Sequence, residues 1–180
     1  MKSPVRFCLQ PFKSATNKDR ARCFGPLVFK KVTAMKTDII IRPAVPEDAG
    51  ALYEINRIAL GYDFPAQQTH KRLSLVLASA RDRILIAQFG GRVVGYIHAA
   101  DYDCIYQPPL KNILALAVLQ DARGKGVGKA LLTAAEDWAK ACGCEGVRLV
   151  SGFNRMDAHR FYLACGYTDR KDQKNFIKYF

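Results

Sequence analysis

The chain's 180 residues are enough for one domain with a sizeable core, and its 49% apolar and 24% charged content is typical of a globular protein. No apolar run approaches the roughly 20 residues that span a bilayer, so we predict no membrane partner. The net charge of +12 is uneven: nine bases and one acid give residues 1–36 a charge of +8, whereas 19 bases and 15 acids leave residues 37–180 at +4. Such a mildly basic domain argues against a nucleic-acid partner, which would require a basic patch on the folded part.

Residues 1–36 form a separate basic extension in this prediction. The segment is poor in acids and has neither helical nor strand periodicity. The segment has three interpretations: a disordered tail, an organellar transit segment, or an extension read from an early start codon. In the third, Met35 is the later start. Three prolines and only two serines argue against an amphipathic, Ser-rich transit peptide. We therefore place the domain boundary at residue 36 and favour a tail or an extension.

The domain at residues 37–180 begins with a strand and two helices. The β-branched run at 39–41 predicts the strand. Pro46 and the two acids after it predict a helix N-terminus, because proline fits a first turn and acids complement the helix dipole. A second stretch with helical spacing follows Pro65.

The middle of the domain contains three predicted strands. Apolar runs at 84–87 and 93–97 flank two glycines, a pattern typical of a hairpin. Two adjacent prolines predict that Tyr102–Pro109 is a loop. The nearly unbroken apolar run from Ile113 to Leu119 predicts a central strand that is buried on both faces.

The last third of the chain alternates helices and strands. Apolar positions from 127 to 138 predict a long amphipathic helix. A strand at 147–150, a helix at 158–165 and a final strand at 175–180 follow. The element order β-α-α-β-β-β-α-β-α-β predicts a mixed α/β fold around one sheet.

The six cysteines show no metal-binding pattern. No Cys-x-x-Cys pair occurs, and the three histidines have no ligand spacing with the cysteines. Cys142-x-Cys144 by itself cannot supply a closed four-ligand zinc site. We therefore predict no metal, no disulfide framework, and free thiols in a reducing, cytoplasmic compartment.

The most distinctive motif is the glycine-rich segment Arg123-Gly124-Lys125-Gly126-Val127-Gly128-Lys129, which lies between the central strand and the long helix. Amides at a helix N-terminus are unpaired and carry partial positive charge, and glycines let a phosphate approach them closely. The three bases add positive charge, so the segment predicts an anion site, most simply for a pyrophosphate. The alternative is a glycine-rich turn that only caps the helix.

Two common phosphate-binding motifs do not fit this segment. A dinucleotide-binding fingerprint requires a third glycine where Lys129 stands. A Walker A loop requires Ser or Thr where Ala130 stands and glycine where Arg123 stands. A third pattern does fit, Arg/Gln-x-x-Gly-x-Gly/Ala between a strand and a helix, and it is filled by Arg123, Gly126 and Gly128.

With this pattern, residues 38–180 resemble the GNAT superfamily of N-acetyltransferases. Three further blocks in the expected order carry the resemblance: Leu116-Ala117-Val118, Ser151-Gly152-Phe153-Asn154-Arg155, and Ala158-His159-Arg160-Phe161-Tyr162 closing at Gly166-Tyr167. The resemblance implies a mixed α/β fold with a mostly antiparallel central sheet flanked by helices. It also implies transfer of the acetyl group of acetyl-CoA to a primary amine of a small molecule or protein.

The resemblance implies a role for each matching residue. The coenzyme A pyrophosphate would be held by the amides of Arg123, Gly124, Lys125, Gly126, Val127, Gly128 and Lys129. The backbone of Leu116, Ala117 and Val118 would pair with the pantetheine arm like an added strand. Asn154 would lie near the pantetheine, with a helix N-cap as its alternative role. Tyr162 would protonate the leaving thiolate, with a packed aromatic as the alternative.

The general base is the role for which the sequence departs from the family pattern. Many members carry Glu or Asp on the central strand, where this chain has Leu114 and Ala115. The general base must then be another group. The candidates are His98, Asp101, Asp103 and a water molecule that passes the proton to backbone carbonyls, and the sequence does not distinguish them.

Two other functions stay open from the sequence alone. A non-catalytic acyl-CoA-binding or sensor domain with this fold would bind coenzyme A without turnover. A nucleic-acid-binding protein led by the +8 extension would lose its salt-dependent binding when residues 1–36 are removed. Neither the identity of the amine acceptor nor the choice between monomer and homodimer follows from the sequence.

Overall fold

The computed structural model describes residues 30–34 and 37–180. These residues fall into two compact units, one ending at Arg148 and the other comprising Leu149–Phe180. The strands form one sheet in chain order: β1 Lys30–Ala34, β2 Thr37–Pro43, β3 Asp82–Phe89, β4 Arg92–Cys104, β5 Gln107–Val118 and β6 Gly146–Leu149. The α-helices are α1 Ala49–Ile55, α2 Ala66–Leu77, α3 Val127–Ala141 and α4 Met156–Ala164. None of the helices among the described residues has the length and apolar character that a membrane crossing requires.

The predicted mixed α/β fold with a mostly antiparallel sheet is confirmed. Each strand from β1 to β5 pairs antiparallel with the next one in the sequence. Two-residue turns join β3 to β4 and β4 to β5, and such short turns can join only antiparallel neighbours. The glycine turn predicted between the second and third apolar runs is Gly90–Gly91, and both residues have positive φ.

α1 and α2 cover one face of the sheet. Their buried residues pack against alternate positions of β3, β4 and β5 in a single cluster. The largest members of this cluster are Leu52, Ile55, Leu73, Ile84, Ile86 and Tyr96. The apolar faces of α1 and α2 therefore pack on the side chains that point to one side of the strands beneath them.

α3 covers the opposite face. Its Trp138 ring lies below the ammonium of Lys111, with Nζ 3.8 Å from the ring centroid, and near the guanidinium of Arg83. Lys111 is only 3% exposed and is paired with Asp101. Burial lowers the pKa of Lys111, but the hydrogen bond to Asp101 and the electrostatic attraction of Asp101 and other nearby groups together raise it by more, so the pKa lies above its usual value. The face under α3 thus buries a cation that is stabilised by a carboxylate and an aromatic ring.

The chain enters α1 through a turn that is fixed by Asp48. The buried Asp48 carboxylate accepts hydrogen bonds from Arg42 at 2.6 and 2.7 Å and from the Val45 N–H at 2.9 Å. Burial raises the pKa of this carboxyl, but the donors lower it by more, so the pKa lies below its ordinary value of 3.8. The stabilisation is present above pH 3.8 and disappears as the pH falls through the lowered pKa.

The predicted loop at Tyr102–Pro109 is wrong. β4 continues to Cys104, β5 begins at Gln107, and only Ile105 and Tyr106 form the turn between them. The two prolines are tolerated because they lie opposite an irregularity in the register, between Tyr102 and Cys104, where the missing N–H groups break no regular ladder. A sequence rule that treats adjacent prolines as a loop cannot detect this compensation.

The prediction that the central strand is buried on both faces is wrong at Leu114. The register passes from Ala99↔Ile113 to His98↔Ala115, so Leu114 is an extra residue that forms a β-bulge. Its side chain is 56% exposed, whereas Ile113 is buried. An apolar run gives no sign of a bulge, since the position of the extra residue is set by pairing with the neighbouring strand.

The predicted final strand at 175–180 is also wrong. Residues 167–180 contain no regular secondary structure, and the aromatic and aliphatic side chains near the end of the chain are exposed. Alternation specifies a strand only where a neighbouring strand takes up its backbone hydrogen bonds. The described residues provide no such neighbour for this segment.

β1 lies inside the extension that the sequence analysis placed before the domain. It pairs with β2 in a continuous register from Lys30↔Ile41 to Ala34↔Thr37. Periodicity did not predict this strand, because a five-residue strand at the end of a sheet is specified mainly by pairing with its neighbour. Residues 1–29, 35 and 36 lie outside the described residues, so the boundary at residue 36 and the disorder of the extension stay predictions.

We expect two deletion variants, one lacking residues 1–29 and one lacking residues 1–34, to fold. The core side chains whose burial the structure describes begin at Ile39, and both deletions leave all of these in place. The longer deletion exposes the edge of β2 and should increase self-association, because an unpaired strand edge is a template for another chain. Melting curves and light scattering at several concentrations test both statements. An unfolded product of the longer deletion would show that β1 is required for the fold.

Candidate functional site

The glycine-rich segment connects β5 to α3 through a short 3₁₀ turn at Gln120–Ala122. Gly126 is the N-cap of α3 and has a φ of 85°, and Gly124 has a φ of 72°. These values lie in the left-handed region, which costs little only for glycine. Val127 follows with a fully buried side chain, so the helix start is anchored in the core while the glycines before it stay exposed.

The amides at the start of α3 are open. The N–H of Ala130 donates to Gly126 O at 2.9 Å and closes the first turn. Helical geometry leaves the N–H groups of Val127, Gly128 and Lys129 without a carbonyl one turn earlier, and no side chain caps the helix. The dipole of a 15-residue helix adds partial positive charge at the same point. This end of α3 can therefore bind an anion.

The three bases of the segment differ in their surroundings. Arg123 donates from Nε to Val118 O at 3.1 Å, so its side chain ties the loop to the end of β5. Lys125 lies 5.1 Å from the ring centroid of Phe89, and both Lys125 and Lys129 are exposed. Two flexible cations therefore flank the open amides, while Arg123 has a structural hydrogen bond that the sequence did not predict.

The end of β5 lies unusually close to β4. The register pairs Leu116 with Ile97, Ala117 with Tyr96, and Val118 with Gly95. A Cβ atom on Gly95 would lie 2.7 Å from Ala117 O, so only glycine permits this approach. The sequence analysis missed Gly95, although a glycine inside a strand is a known signal for close approach of another backbone.

A backbone hydrogen bond fixes β5 near its beginning, at the end far from the glycine-rich segment. The Glu145 N–H, just before β6, donates to Pro109 O at 3.0 Å, near the start of β5. Leu116–Val118 lies at the far end of the same strand, next to the glycine-rich segment. β6 has four residues against the twelve of β5, so it cannot accompany β5 over its whole length. At most four of the twelve residues of β5 can therefore pair with β6.

The two acidic candidates for a general base are engaged in ion pairs along the β4–β5 hairpin. Asp101 pairs with the buried Lys111, and Asp103 accepts a hydrogen bond from Arg81 at 3.0 Å. Both carboxylates therefore already have cationic partners.

The third candidate, His98, has a different environment. Its Nε2 lies 2.9 Å from Asp82 Oδ1, and the ring is partly exposed. Asp82 also accepts a hydrogen bond from the Ser79 hydroxyl at 2.6 Å. Burial raises the pKa of Asp82, but the bonds from Ser79 and His98 lower it by more, so the carboxylate is ionised at neutral pH.

The second unit carries Asn154 in an exposed turn before α4. The N-cap of α4 is Arg155, whose N–H donates to Gly152 O at 3.0 Å, so the N-cap alternative for Asn154 is wrong. The ring of His159 is 3.0 Å from the same Gly152 carbonyl and holds the turn closed. Asn154 therefore does not cap α4.

Tyr162 lies on α4 and packs with two aromatic rings. The ring centroids of Phe161 and Tyr167 are 5.3 and 5.8 Å from that of Tyr162. Burial raises the pKa of the Tyr162 hydroxyl above its usual value of 10.0, so the group keeps its proton at neutral pH. Its hydroxyl makes no hydrogen bond to any described residue. The ring contacts agree with a packed aromatic, but the unpaired hydroxyl leaves a proton donor available.

The described part of the first unit brings together the glycine-rich segment, the end of β5 and His98. The described part of the second unit carries Asn154 and Tyr162. No group of three or more His, Cys, Asp or Glu side chains that could hold a metal ion occurs within 30–34 and 37–180.

Comparisons with known proteins agree on one family. The family model described as "Acetyltransferase (GNAT) family" matches residues 50–167. An uncharacterised N-acetyltransferase of Methanocaldococcus jannaschii is 33% identical over 138 residues, 74% of this chain and 80% of the relative. The aminoalkylphosphonate N-acetyltransferase of Salmonella typhimurium is 30% identical over 128 residues, 71% of this chain and 83% of the relative. The solved structure of aminoglycoside N-acetyltransferase AAC(6')-Iy in complex with CoA shares the fold, with a TM-score of 0.71 at 17% identity over 82% of this chain and 99% of that one.

Proposed function

The chain belongs to the GNAT family of acetyltransferases, and from that premise we propose that it acetylates a primary amine of a small molecule. It is an N-acetyltransferase that passes the acetyl group of acetyl-CoA to an amine. The similarity to an aminoalkylphosphonate N-acetyltransferase supports a small-molecule acceptor. An amine on a protein is the alternative acceptor.

In this proposal the N-terminus of α3 holds the coenzyme A pyrophosphate. The observation that carries the proposal is the set of open amides at Val127, Gly128 and Lys129, preceded by exposed left-handed glycines. Phosphate oxygens satisfy such donors and complement the helix dipole. Lys125 and Lys129 add charge from the sides.

The pantetheine arm pairs with Leu116–Val118 in the same proposal. A short β6 leaves this part of β5 available, and its position next to the glycine-rich segment suits an arm that extends from the pyrophosphate. Backbone pairing of this kind is strand addition, in which main-chain hydrogen bonds supply much of the affinity. Asn154 contributes a side-chain amide to the same ligand.

The chemistry requires a neutral amine, a held oxyanion and a proton for the leaving sulfur. A backbone amide near Val118 holds the oxyanion. Tyr162 donates its hydroxyl proton to the departing sulfur, and the role is supported because this hydroxyl makes no hydrogen bond to any described residue.

We also propose a cytoplasmic location. Of the cysteines that the structure describes, Cys104 and Cys165 are free thiols. Free thiols are typical of a reducing compartment. Fractionation of the source cells with an antibody against the protein tests the location.

Acetyl-CoA should stabilise the folded protein against heat. A ligand that binds only the native state adds about 2.7 kcal/mol when its free concentration is about 100 times Kd. Differential scanning calorimetry with and without acetyl-CoA measures the shift, and the variant lacking residues 1–34 should show the same one. S-acetylpantetheine, which lacks the pyrophosphate, is the matched control and should give a much smaller shift. An unchanged Tm at saturating acetyl-CoA would contradict the coenzyme site.

The acceptor class is then tested with a panel of 2-aminoethylphosphonate, ethanolamine, an aminoglycoside and a lysine-containing peptide. Release of the coenzyme A thiol reports turnover for each amine. Turnover with a small amine and none with the peptide supports the proposal, whereas the reverse pattern supports a protein acceptor. Stabilisation by acetyl-CoA without turnover on any amine would point to the sensor alternative.

A further inference from the structure

His98 lies one register step from the strand end that is proposed to hold the pantetheine. On β4 it pairs with Ile84 of β3 and with Ala115 of β5, directly before Leu116–Val118. Residues that oppose each other in an antiparallel pair have Cβ atoms about 5 Å apart. The bulge at Leu114 adjoins the same pair, and bulges often redirect the chain beside active sites. The imidazole therefore belongs to the immediate surroundings of this strand end.

The side chain of His98 lies on the face that α1 and α2 cover. Its neighbour at i−2 is Tyr96, which packs in the cluster beneath these helices. Asp82 alternates in the same way with Ile84 and Ile86 of that cluster. The opposite face is covered by α3 through Trp138. An amine that approaches β5 from the face of α1 and α2 therefore meets the imidazole.

The hydrogen bonds of His98 leave one ring nitrogen available. Nε2 is bound to Asp82, and Nδ1 makes no hydrogen bond to any described residue. The ring is 18% exposed, so Nδ1 can reach a ligand or water. An ionised carboxylate on one nitrogen fixes the tautomer in which the other nitrogen carries a lone pair. The remaining charged group near Asp82 is Arg81, and on this face β5 presents Ala115 opposite His98 and the uncharged Asn112 opposite Ala100.

We propose that His98 is the general base of the acetyl transfer and that Asp82, itself held by Ser79, is the residue that positions it. This inference rests on the proposed function, because the base acts on an amine beside the pantetheine arm. It supplies the role that the family pattern leaves vacant at Leu114 and Ala115. Asp101 and Asp103 are weaker alternatives, since each is paired with a cation further along the hairpin.

In this reaction the nitrogen of the acceptor loses two protons and the sulfur of coenzyme A gains one. The acceptor arrives as an ammonium ion, and His98 takes one proton from it and releases that proton to water. The amine lone pair attacks the thioester carbon, so a C–N bond forms and the carbonyl electron pair moves to oxygen. The oxyanion electron pair then re-forms the C=O bond while the C–S bond breaks, and His98 takes the second nitrogen proton and releases it to water. The sulfur leaves with the bonding pair, receives the Tyr162 proton, and Tyr162 regains a proton from water, so one proton is released in total.

His98→Gln is the first test, because glutamine keeps a donor for Asp82 but cannot act as a base. We expect kcat to fall on the order of 10²–10⁴-fold, the usual range for a general base. Acetyl-CoA binding and KM for acetyl-CoA should stay near wild-type values. His70→Gln, on the exposed surface of α2, is the matched control and should keep wild-type kcat. The assay uses the fastest amine of the panel above.

Two further variants separate catalysis from structure. Added imidazole should restore part of the activity of His98→Ala, which a structural role would not allow. Asp82→Asn should lower kcat by about tenfold or more without changing KM for acetyl-CoA, because the tautomer is no longer fixed. Wild-type kcat in His98→Gln overturns the inference, and so does a folded His98→Ala variant that imidazole does not rescue. If the wild-type protein neither binds acetyl-CoA nor turns over any amine, the proposed function itself fails and the inference fails with it.

Discussion

We expect Tyr162→Phe to lower kcat by about 10²–10⁴-fold while KM for acetyl-CoA stays nearly constant. The substitution removes one hydroxyl and keeps the ring that packs against Phe161 and Tyr167. The hydroxyl has no hydrogen-bond partner among the described residues, so its loss leaves no unsatisfied group behind. The interaction that disappears is made in the transition state, when the sulfur gains negative charge. Single-turnover acetyl transfer, measured beside a melting curve, isolates this chemical step.

The matched control for this prediction is Tyr179→Phe. Tyr179 is 84% exposed near the end of the chain and should tolerate the same loss of a hydroxyl without an effect. If Tyr162 is only a packed aromatic, both variants will transfer acetyl groups at the wild-type single-turnover rate. That result in a properly folded protein would remove Tyr162 from the catalytic residues.

Local patterns predicted most of the fold because several elements carry strong signals of their own. The helix at 127–138 has an uninterrupted apolar face, and the hairpin around Gly90–Gly91 combines apolar strands with a turn that needs positive φ. The errors share a cause. Whether each of these segments forms a strand depends on whether a neighbouring strand supplies hydrogen bonds. A neighbour is present for Tyr102–Pro109 and Lys30–Ala34, and none is described for 175–180.

The candidate site likewise has features that a local sequence pattern predicted and features that depend on contacts between distant residues. The open amides lie at the start of α3, and the sequence predicted both this helix and the glycines before it. The pairing of His98 with Asp82 joins residues 16 positions apart, and the clash that excludes a side chain at Gly95 involves a carbonyl of another strand. No short motif encodes such contacts. They become visible only when the register of β3, β4 and β5 is known.

Gly128→Asp should abolish the stabilisation by acetyl-CoA without destabilising the free protein. Gly128 is the second residue of α3, where a carboxylate complements the helix dipole by about 0.3–1 kcal/mol. The same carboxylate would lie beside the pyrophosphate. Two like charges about 4 Å apart repel by about 4 kcal/mol near a protein surface, which weakens Kd by about a thousandfold. Free-protein stability and ligand affinity should therefore change in opposite directions, and calorimetry with and without acetyl-CoA measures both.

Asparagine variants separate charge from shape in this prediction. Gly128→Asn has nearly the volume of Gly128→Asp but no charge, so it should keep most of the acetyl-CoA shift. Gly126→Asp should also lose the shift, and because Gly126 has a φ of 85° the free protein should lose about 1 kcal/mol as well. Gly126→Asn carries the same backbone strain and again isolates the charge. If a folded Gly128→Asp variant binds acetyl-CoA as tightly as the wild-type protein, the pyrophosphate does not lie at the N-terminus of α3.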